Sequence, residues 1–582
     1  MADDTLCYLA SGRVAPQQIA TDLLHAYEKG LDTAREFTQK RLKSGGQVDF
    51  HEPLPKLQLQ TFATLGKGKI VTADSRQIVL KATRELFGRL LVIGQSRQIS
   101  LKELLEYPLN AFPLSISTPE GSPVKTVKAT LLKLLEAGAE PVTTFPHDAV
   151  RIVDAMAILH SLKTTDGMTY KQLASLILDI IIHDVAAVGR VDWVVDTYSN
   201  ISIKNIEHGR RNTTMGNLET KIRSAEQKVD RQFNKSLQSG RFKTELSEFL
   251  LNEWARPDYI GQIQQRRLMV TAADKCFCLS ANGEAMSKIE VDELKCTHDE
   301  ADTRMFLHAL HIANSGSQTI IIKSPDTDVA VLAISVDHRI PARIILRTGT
   351  KLRARYIDLP AIAESLGREV CAALPGYHAF SGCDTTSAFV GRGKAIGFKL
   401  LKTDQSFRDT MIQLGRDMDI MADLIKAGES AICSLYGRKE QVDINKVRLD
   451  MFGSHTTDPC KLPPCKNASE KHIQRANYQA GIWRRCLDPD PQVPSPHHHG
   501  WEVIDNEINI QWIDVSLAPQ SVLNCISCKC RSKCDSNRCS CRKNQLPCTG
   551  VCGYHEGLCE NGEDNPEAAQ DDNESDDDSD EY

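Results

Sequence analysis

The sequence predicts an α/β protein built on a parallel sheet with flanking helices, followed by a small cysteine-rich metal module and an acidic tail. Three observations carry this. Short apolar or β-branched runs near residues 149–153, 191–195 and 319–322 each lead to an aspartate and then to helical periodicity. Nine of the 19 cysteines fall between Cys525 and Cys559. From Glu560 to Tyr582 the chain is almost wholly acidic or polar, too charged to bury surface, so it is expected to be disordered.

Length and composition bound the rest. A chain of 582 residues predicts about two to four folded units. Hydrophobic content of 41% and charged content of 25% are ordinary for globular protein. No apolar run approaches the roughly 18 residues that a bilayer span needs, and the N-terminus does not read as a signal peptide. The expectation is a nuclear protein with a cytoplasmic pool and no membrane contact. In such a reducing compartment a dense cysteine cluster reads as a metal site rather than disulfides. The net charge of −6 hides an asymmetry, because without the tail the chain would be slightly basic.

Residues 1–70 read as a helical and loop leader, with helical spacing over Asp22–Phe37 broken at Gly45-Gly46 and at prolines 53 and 55. Residues 71–145 read as a helical subdomain, with helices expected at Leu80–Gly94 and Thr126–Ala137. No chemistry is assigned to either segment.

Residues 146–405 read as the main α/β domain. Ala149 to Val153 is a strand that stops at Asp154, and Tyr170–Val188 is a helix. Val191–Asp196 is a second strand ending in Asp196. Thr297 to Glu300 fits a capping box, and Met305, Phe306, Ala309, Leu310 and Ala313 recur at helical spacing. Glu300 and Asp302 then lie in a first helical turn, where exposed amides favour carboxylates. Thr319–Ile322 is a buried parallel strand with Asp326 and Asp328 at its C-terminal end, where open α/β sheets hold ligands. Asp384 follows Gly382-Cys383. Acids gathered at one sheet edge suit hard divalent cations.

This ordered set resembles the flap-endonuclease-like branch of the PIN-like nucleases. Ile152-Val153-Asp154-Ala155 resembles that family's first aspartate motif, and Val194-Val195-Asp196 its second. Glu300-Ala301-Asp302 resembles the Glu-Ala-Glu motif with the second glutamate shortened, and Asp326-Thr327-Asp328 the Asp-x-Asp motif. Gly382-Cys383-Asp384 and Val390-Gly391-Arg392-Gly393-Lys394 resemble its helix-hairpin-helix. The resemblance implies a PIN-like sheet and a centre with two Mg²⁺ or Mn²⁺ ions. Asp154, Asp196, Glu300 and Asp302 would serve one ion, and Asp326, Asp328 and Asp384 the other. It also implies an arch-like basic insertion at 204–260. Lys204, Arg210, Arg211 and Lys221 would follow phosphates there without reading sequence. Lys163 and Arg210 would contact the scissile phosphate, and Gly391, Gly393 and Lys394 the duplex backbone. Residues 406–485 read as a helical extension and 486–520 as a linker.

In residues 521–560 there is no material for a hydrophobic core, so thiolates on Zn²⁺ are expected to replace it. Cys528, Cys530, Cys534, Cys539, Cys541, Cys548 and Cys552 follow the spacing of the tesmin/TSO1-type CXC module, a DNA-binding zinc fold that this stretch resembles. Cys525 and Cys559 lie outside that spacing, and nine cysteines exceed two four-cysteine sites, which makes bridging thiolates an expectation. The family's next cysteine is Tyr554 here, so His555 or Cys525 would complete the ligand count. Lys529, Arg531, Lys533, Arg538, Arg542 and Lys543 would contact DNA, with Arg538 suited to a narrow minor groove. The tail is 561–582.

The expected function is metal-dependent, structure-selective hydrolysis of phosphodiester bonds in DNA. The two alternatives are an RNA nuclease and a catalytically inactive DNA-binding protein on a retired nuclease fold. The pairing of modules resembles animal proteins derived from mobile elements.

Overall fold

The computed structural model describes residues 7–8, 13–14, 17–43, 68–73, 76–81, 84–96, 98–137, 139–144, 146, 149–183, 189–197, 203, 221–349, 354–456, 458–504, 507–523, 528, 530, 534–543, 548 and 560–561. The chain divides into two compact units. One comprises residues 87–118 and 122–522, and the other residues 1–86, 119–121 and 523–582.

The larger unit is built on an eight-stranded sheet. Its strands are β1 (Val150–Asp154), β2 (Arg190–Val194), β3 (Arg267–Ala272), β4 (Lys275–Asn282), β5 (Ala285–Glu290), β6 (Thr319–Lys323), β7 (Arg343–Thr348) and β8 (Arg355–Asp358). Their order is β8-β7-β6-β1-β2-β3-β4-β5. Strands β7, β6, β1, β2 and β3 pair in parallel, while β8 and the β4–β5 hairpin add antiparallel edges. The central strands are apolar without alternation because helices cover both faces. Ile320, Ile321 and Ile322 are all fully buried. From β1 the chain moves outward to β2, and it later returns to place β6 on the opposite side of β1. A crevice opens where connections diverge in this way, at the C-terminal ends of β1, β2 and β6.

Five helices matter for that crevice: α1 (Ala155–Ser161), α2 (Tyr170–His183), α3 (Gly240–Trp254), α4 (Ala301–Asn314) and α5 (Thr327–Val336). Behind them lie α6 (Arg368–Phe380), α7 (Lys394–Thr403) and α8 (Lys466–Arg484). Helix α8 is buried although much of it is polar, with Lys471, His472, Arg475, Asn477 and Gln479 all enclosed. Its small residues Ala468, Ala476 and Ala480 are fully buried.

Several expectations are corrected. Leu80 and Lys81 belong to a strand, Arg76–Lys81, paired with Gly68–Ala73, and the helix expected from Leu80 starts at Arg84. Thr297 is not a cap. Glu300 occupies the N-cap of α4, and the Thr297 hydroxyl donates to Asp490 instead. The C-terminal half of the expected arch is core. Phe233, before α3, and Phe242, Leu246, Leu250 and Trp254, which recur on one face of α3, share a core with Leu173, Ile177 and Trp193. Residues 204–220 lie outside the described residues. Residues 486–520 are not an open linker. Trp501–Ile504 pairs with Glu507–Ile510, Trp501 is fully buried, and the Arg475 guanidinium donates to the Gly500 and Gln511 carbonyls.

The smaller unit contains the cysteine cluster described below. Residues 562–582 lie outside the described residues. No helix among the described residues is long and apolar enough to cross a membrane.

Candidate metal centres

A cavity of about 220 Å³ opens at the crevice, and all seven acids singled out from the sequence line it. Asp154 ends β1 and caps α1. Its Oδ1 accepts from the Ala157 amide at 3.2 Å, and its Oδ2 from the Ser324 hydroxyl at 3.1 Å. Asp196 follows β2, and its Oδ1 accepts from the Ala301 amide at 2.8 Å. The Thr197 amide donates to the Asp299 carbonyl at 2.9 Å, which ties this strand end to the start of α4. Glu300 is buried at the N-cap of α4, and Asp302 lies in its first turn. Asp326 caps α5 and accepts from the Asp328 amide at 3.0 Å. Asp384 is half-exposed in the connection from α6 to α7. Helices α1, α4 and α5 all begin at this cavity, so their amide ends offset part of the negative charge.

The acids perturb one another. Burial, and then the charge of Asp196, push the Asp154 carboxyl up to about 6. Burial and Asp328 likewise raise Asp326. Carboxylate oxygens of Asp302, Asp326 and Asp328 lie within 4.8 Å of one another, so this triad can hold a metal ion. Asp302 therefore groups with Asp326 and Asp328, across the expected division into two sets.

Behind the acids stands a buried polar chain. His378 Nε2 lies 2.7 Å from Asp328 Oδ1. Lys394 Nζ lies 2.9 Å from His378 Nδ1, and donates to the His378 carbonyl at 3.0 Å and to Ser381 Oγ at 2.8 Å. With the lysine donating to Nδ1, Nε2 carries the imidazole proton and gives it to Asp328. This corrects the expectation that Lys394 meets phosphate. It is 1% exposed, all three of its amine donors are used internally, and burial lowers its pKa to about 7.

The other expected nucleic-acid contacts divide by position. Gly391 adopts a positive φ of 71° in an exposed turn, and Gly393 caps α7. Lys163 and Lys221 are exposed, and neither lines the cavity. Lys204, Arg210 and Arg211 lie outside the described residues.

Sequence reasoning missed Lys128, His160, Gln479 and Trp483. The last three line the cavity, as does Lys243 from the basic stretch expected at 204–260. Lys128 Nζ stands 3.0 Å from Asp326 Oδ1, 3.1 Å from Asp328 Oδ1 and 3.1 Å from Asp384 Oδ2. Burial opposes its charge, but Asp328, Asp326 and Asp384 outweigh burial and hold the amine well above its ordinary pKa. A lysine next to a helix is an everyday surface feature, so nothing local marked it. Gln479 and Trp483 stand four apart on α8, on one face, but only the fold brings that face to the acids. The Trp483 ring stacks on His378 at 5.4 Å between centroids.

The cysteine cluster is a second centre. Cys528, Cys530, Cys534 and Cys539 form one convergent quartet, and Cys528, Cys539, Cys541 and Cys548 another. Sulfur separations are 3.8 Å for Cys528–Cys534, 3.9 Å for Cys528–Cys548 and 3.6 Å for Cys539–Cys548. These are far too long for disulfides. A tetrahedron with metal–sulfur bonds of about 2.3 Å has edges of about 3.8 Å, so the spacing fits metal thiolates. Cys528 and Cys539 belong to both quartets, which is the arrangement bridging thiolates require. Burial works against the Cys539 thiolate, but the Arg542 amide and neighbouring thiols pull its pKa down to about 7. The Asn561 side-chain amide donates to Cys548 Sγ at 3.3 Å. Arg538, Arg542 and Lys543 are exposed. Cys525, Lys529, Arg531, Lys533, Cys552, His555 and Cys559 lie outside the described residues.

No protein-family model matches this chain, and a search of curated proteins finds no match. The chain is a mostly parallel α/β sheet with an acidic cavity at its strand ends, and it carries a cysteine cluster able to hold metal.

Proposed function

We propose that this chain is a divalent-metal-dependent nuclease that hydrolyses phosphodiester bonds in DNA, with the cysteine cluster as a zinc-stabilised DNA-binding module of CXC type. The observation that carries this reading is the convergence of seven acids, from separate segments of the chain, on one cavity at the C-terminal ends of parallel strands. Structural acids pair with partners. Asp192 on β2 is such a case, buried against Arg190 at 2.7 Å and His308 at 2.7 Å, and it does not line this cavity. The seven cavity acids are instead crowded at one edge, where burial and Asp196 raise Asp154, burial and Asp328 raise Asp326, and Lys128 offsets part of the charge. Their mutual repulsion has a cost that a cation relieves.

Oxygen-only donors suit Mg²⁺ or Mn²⁺, and thiolates suit Zn²⁺. Bound magnesium or manganese would supply an activated water and stabilise charge on the phosphate. The chain's own groups do the rest. Asp302, Asp326 and Asp328 are the residues that would hold the ion. Asp154 and Asp196 are fixed by the Ala157 and Ala301 amides, so their carboxylates need little reordering when substrate arrives. Lys243 and His160 line the same cavity and would meet the phosphate from the α3 and α1 sides. The exposed Arg538, Arg542 and Lys543 support backbone contact by the zinc module.

The test is single-turnover cleavage of end-labelled branched DNA in Mn²⁺ by the wild-type chain, Asp326→Ala and Asp384→Ala. Loss of about 10³-fold or more in both variants, with circular dichroism and DNA binding retained, is expected. Equal cleavage by all three proteins would remove the assignment.

A further inference from the structure

We propose that Lys128 is the second cation of the acidic centre: its ammonium stands among Asp326, Asp328 and Asp384, so the cavity takes one divalent ion rather than a pair. The proposal rests on reading the cavity as a divalent-metal centre.

The geometry is that of a filled site. The Lys128 ammonium donates to both oxygens of Asp326, at 3.0 and 3.2 Å, and forms ion pairs with Asp328 Oδ1 and Asp384 Oδ2, each at 3.1 Å. The side chain is 19% exposed, so it has left solvent to do this. It is also delivered by a fixed element. Lys128 immediately precedes the helix Ala129–Glu136, whose last residue pairs with Arg355 on β8 at 2.7 Å. On the other side, the Ala388 amide donates to the Val124 carbonyl at 2.8 Å, and the Val390 amide to the Ser115 carbonyl at 2.9 Å. Lys125 Nζ donates to the Asp384 carbonyl at 2.5 Å. The chain that carries Lys128 and the connection that carries Asp384 are therefore bonded backbone to backbone.

Occupancy by lysine and by metal is exclusive at this point. Magnesium needs oxygens at about 2.0–2.1 Å, and an ammonium holds them near 3 Å. Asp326 Oδ1 and Asp328 Oδ1 cannot close on an ion at the same centre while the ammonium stands there. The one ion would lie toward Asp302, whose carboxylate oxygen lies within 4.8 Å of those of Asp326 and Asp328. A phosphate oxygen approaching the Asp384 side would then face ammonium N–H donors, not a second metal.

The test uses the full chain with its cysteine cluster loaded with zinc, titrated with Mn²⁺ and read by electron paramagnetic resonance. Two ions at about 3.5–4 Å give an exchange-coupled spectrum, and a single ion does not. Asp326→Ala identifies the signal that belongs to the cavity, apart from ions on the acidic tail. Wild type and Lys128→Arg should show one isolated cavity ion, and Lys128→Met should show the coupled pair. A coupled pair in the wild type would overturn the proposal whether or not the variants fold, and so would a folded Lys128→Met with one ion. A wild type with no cavity ion would overturn the metal-centre reading, and this proposal with it. One wild-type ion and a pair in Lys128→Met, without cleavage of any nucleic acid, would remove the nuclease assignment and leave the role of Lys128 standing.

Discussion

At Asp154, burial and the neighbouring Asp196 raise the carboxyl to about 6, against 3.8 for a free aspartate. The folded chain therefore keeps a proton that the unfolded chain has already released in that window. The contribution to stability is present below about pH 4, falls as pH rises toward 6, and stays lost above it. In buffer holding zinc but no magnesium or manganese, Asp154→Asn should raise the melting temperature at pH 7.5 by a few degrees. It should also flatten the dependence between pH 4 and 6. An unchanged melting temperature at pH 7.5 would argue against repulsion in the empty centre. Asp192 behaves in the opposite way. Burial disfavours its charge, but Arg190 and His308 hold it down to about 2, so its contribution is present above pH 4 and is lost as pH falls through 2. Asp192→Ala leaves Arg190 buried without its carboxylate and should cost about 3–5 kcal/mol in urea unfolding. A loss below about 1 kcal/mol would contradict the buried pair. These two aspartates lie at neighbouring strands, yet one faces a cavity and the other a fixed partner. Asp154 was legible as an acid at a strand end, whereas Asp192 lies inside its strand and is held by Arg190 two residues before it and by His308 on α4.

Strands and helices at the site were legible where local pattern and burial agree. Ile320-Ile321-Ile322 reads as a parallel strand, and it is one, because both its faces are covered. The acids that follow β1, β2 and β6 were findable for the same reason, since the end of each strand marks the edge. Elements failed where tertiary packing decides. Residues 204–260 carry a basic excess in sequence, but Phe242 and Leu246 turn inward and make the C-terminal part of that segment core. Leu246→Ala should therefore cost about 2–5 kcal/mol, as a core truncation does. A surface-like loss of under about 0.5 kcal/mol would restore the arch-like insertion expected from the sequence. The connection that carries Asp384 depends on Gly382, whose φ is 102° and whose added Cβ would sit 2.8 Å from the Ala388 backbone. Gly382→Ala should displace Asp384 and lower cleavage together with thermal stability. Full activity in that variant would separate Asp384 from the reaction.

Over the whole molecule two centres use different chemistry. Zinc bound by thiolates should not exchange for magnesium, and oxygen donors should not need zinc. Elemental analysis should find that Cys539→Ser, which removes a shared thiolate, loses more zinc than Cys541→Ser, which belongs to one quartet. Equal losses would contradict bridging. Cysteine spacing made this cluster legible from sequence, because thirty-odd residues with too few apolar side chains for a core leave metal as the means of folding. The internal lysine in the acidic centre was not legible, since it depends on how Val124 and Lys125 bond to the connection that carries Asp384.

The central claim is that the acidic cavity cleaves nucleic acid with a hard divalent ion. The most direct measurement incubates the zinc-loaded full chain with flap, gapped, duplex and single-stranded DNA and with RNA, with and without Mg²⁺ or Mn²⁺. Cleavage of DNA that appears only with magnesium or manganese, and disappears in Asp326→Ala, is the predicted result. No cleavage of any substrate in either metal, or cleavage that persists with zinc alone and in Asp326→Ala, would contradict it.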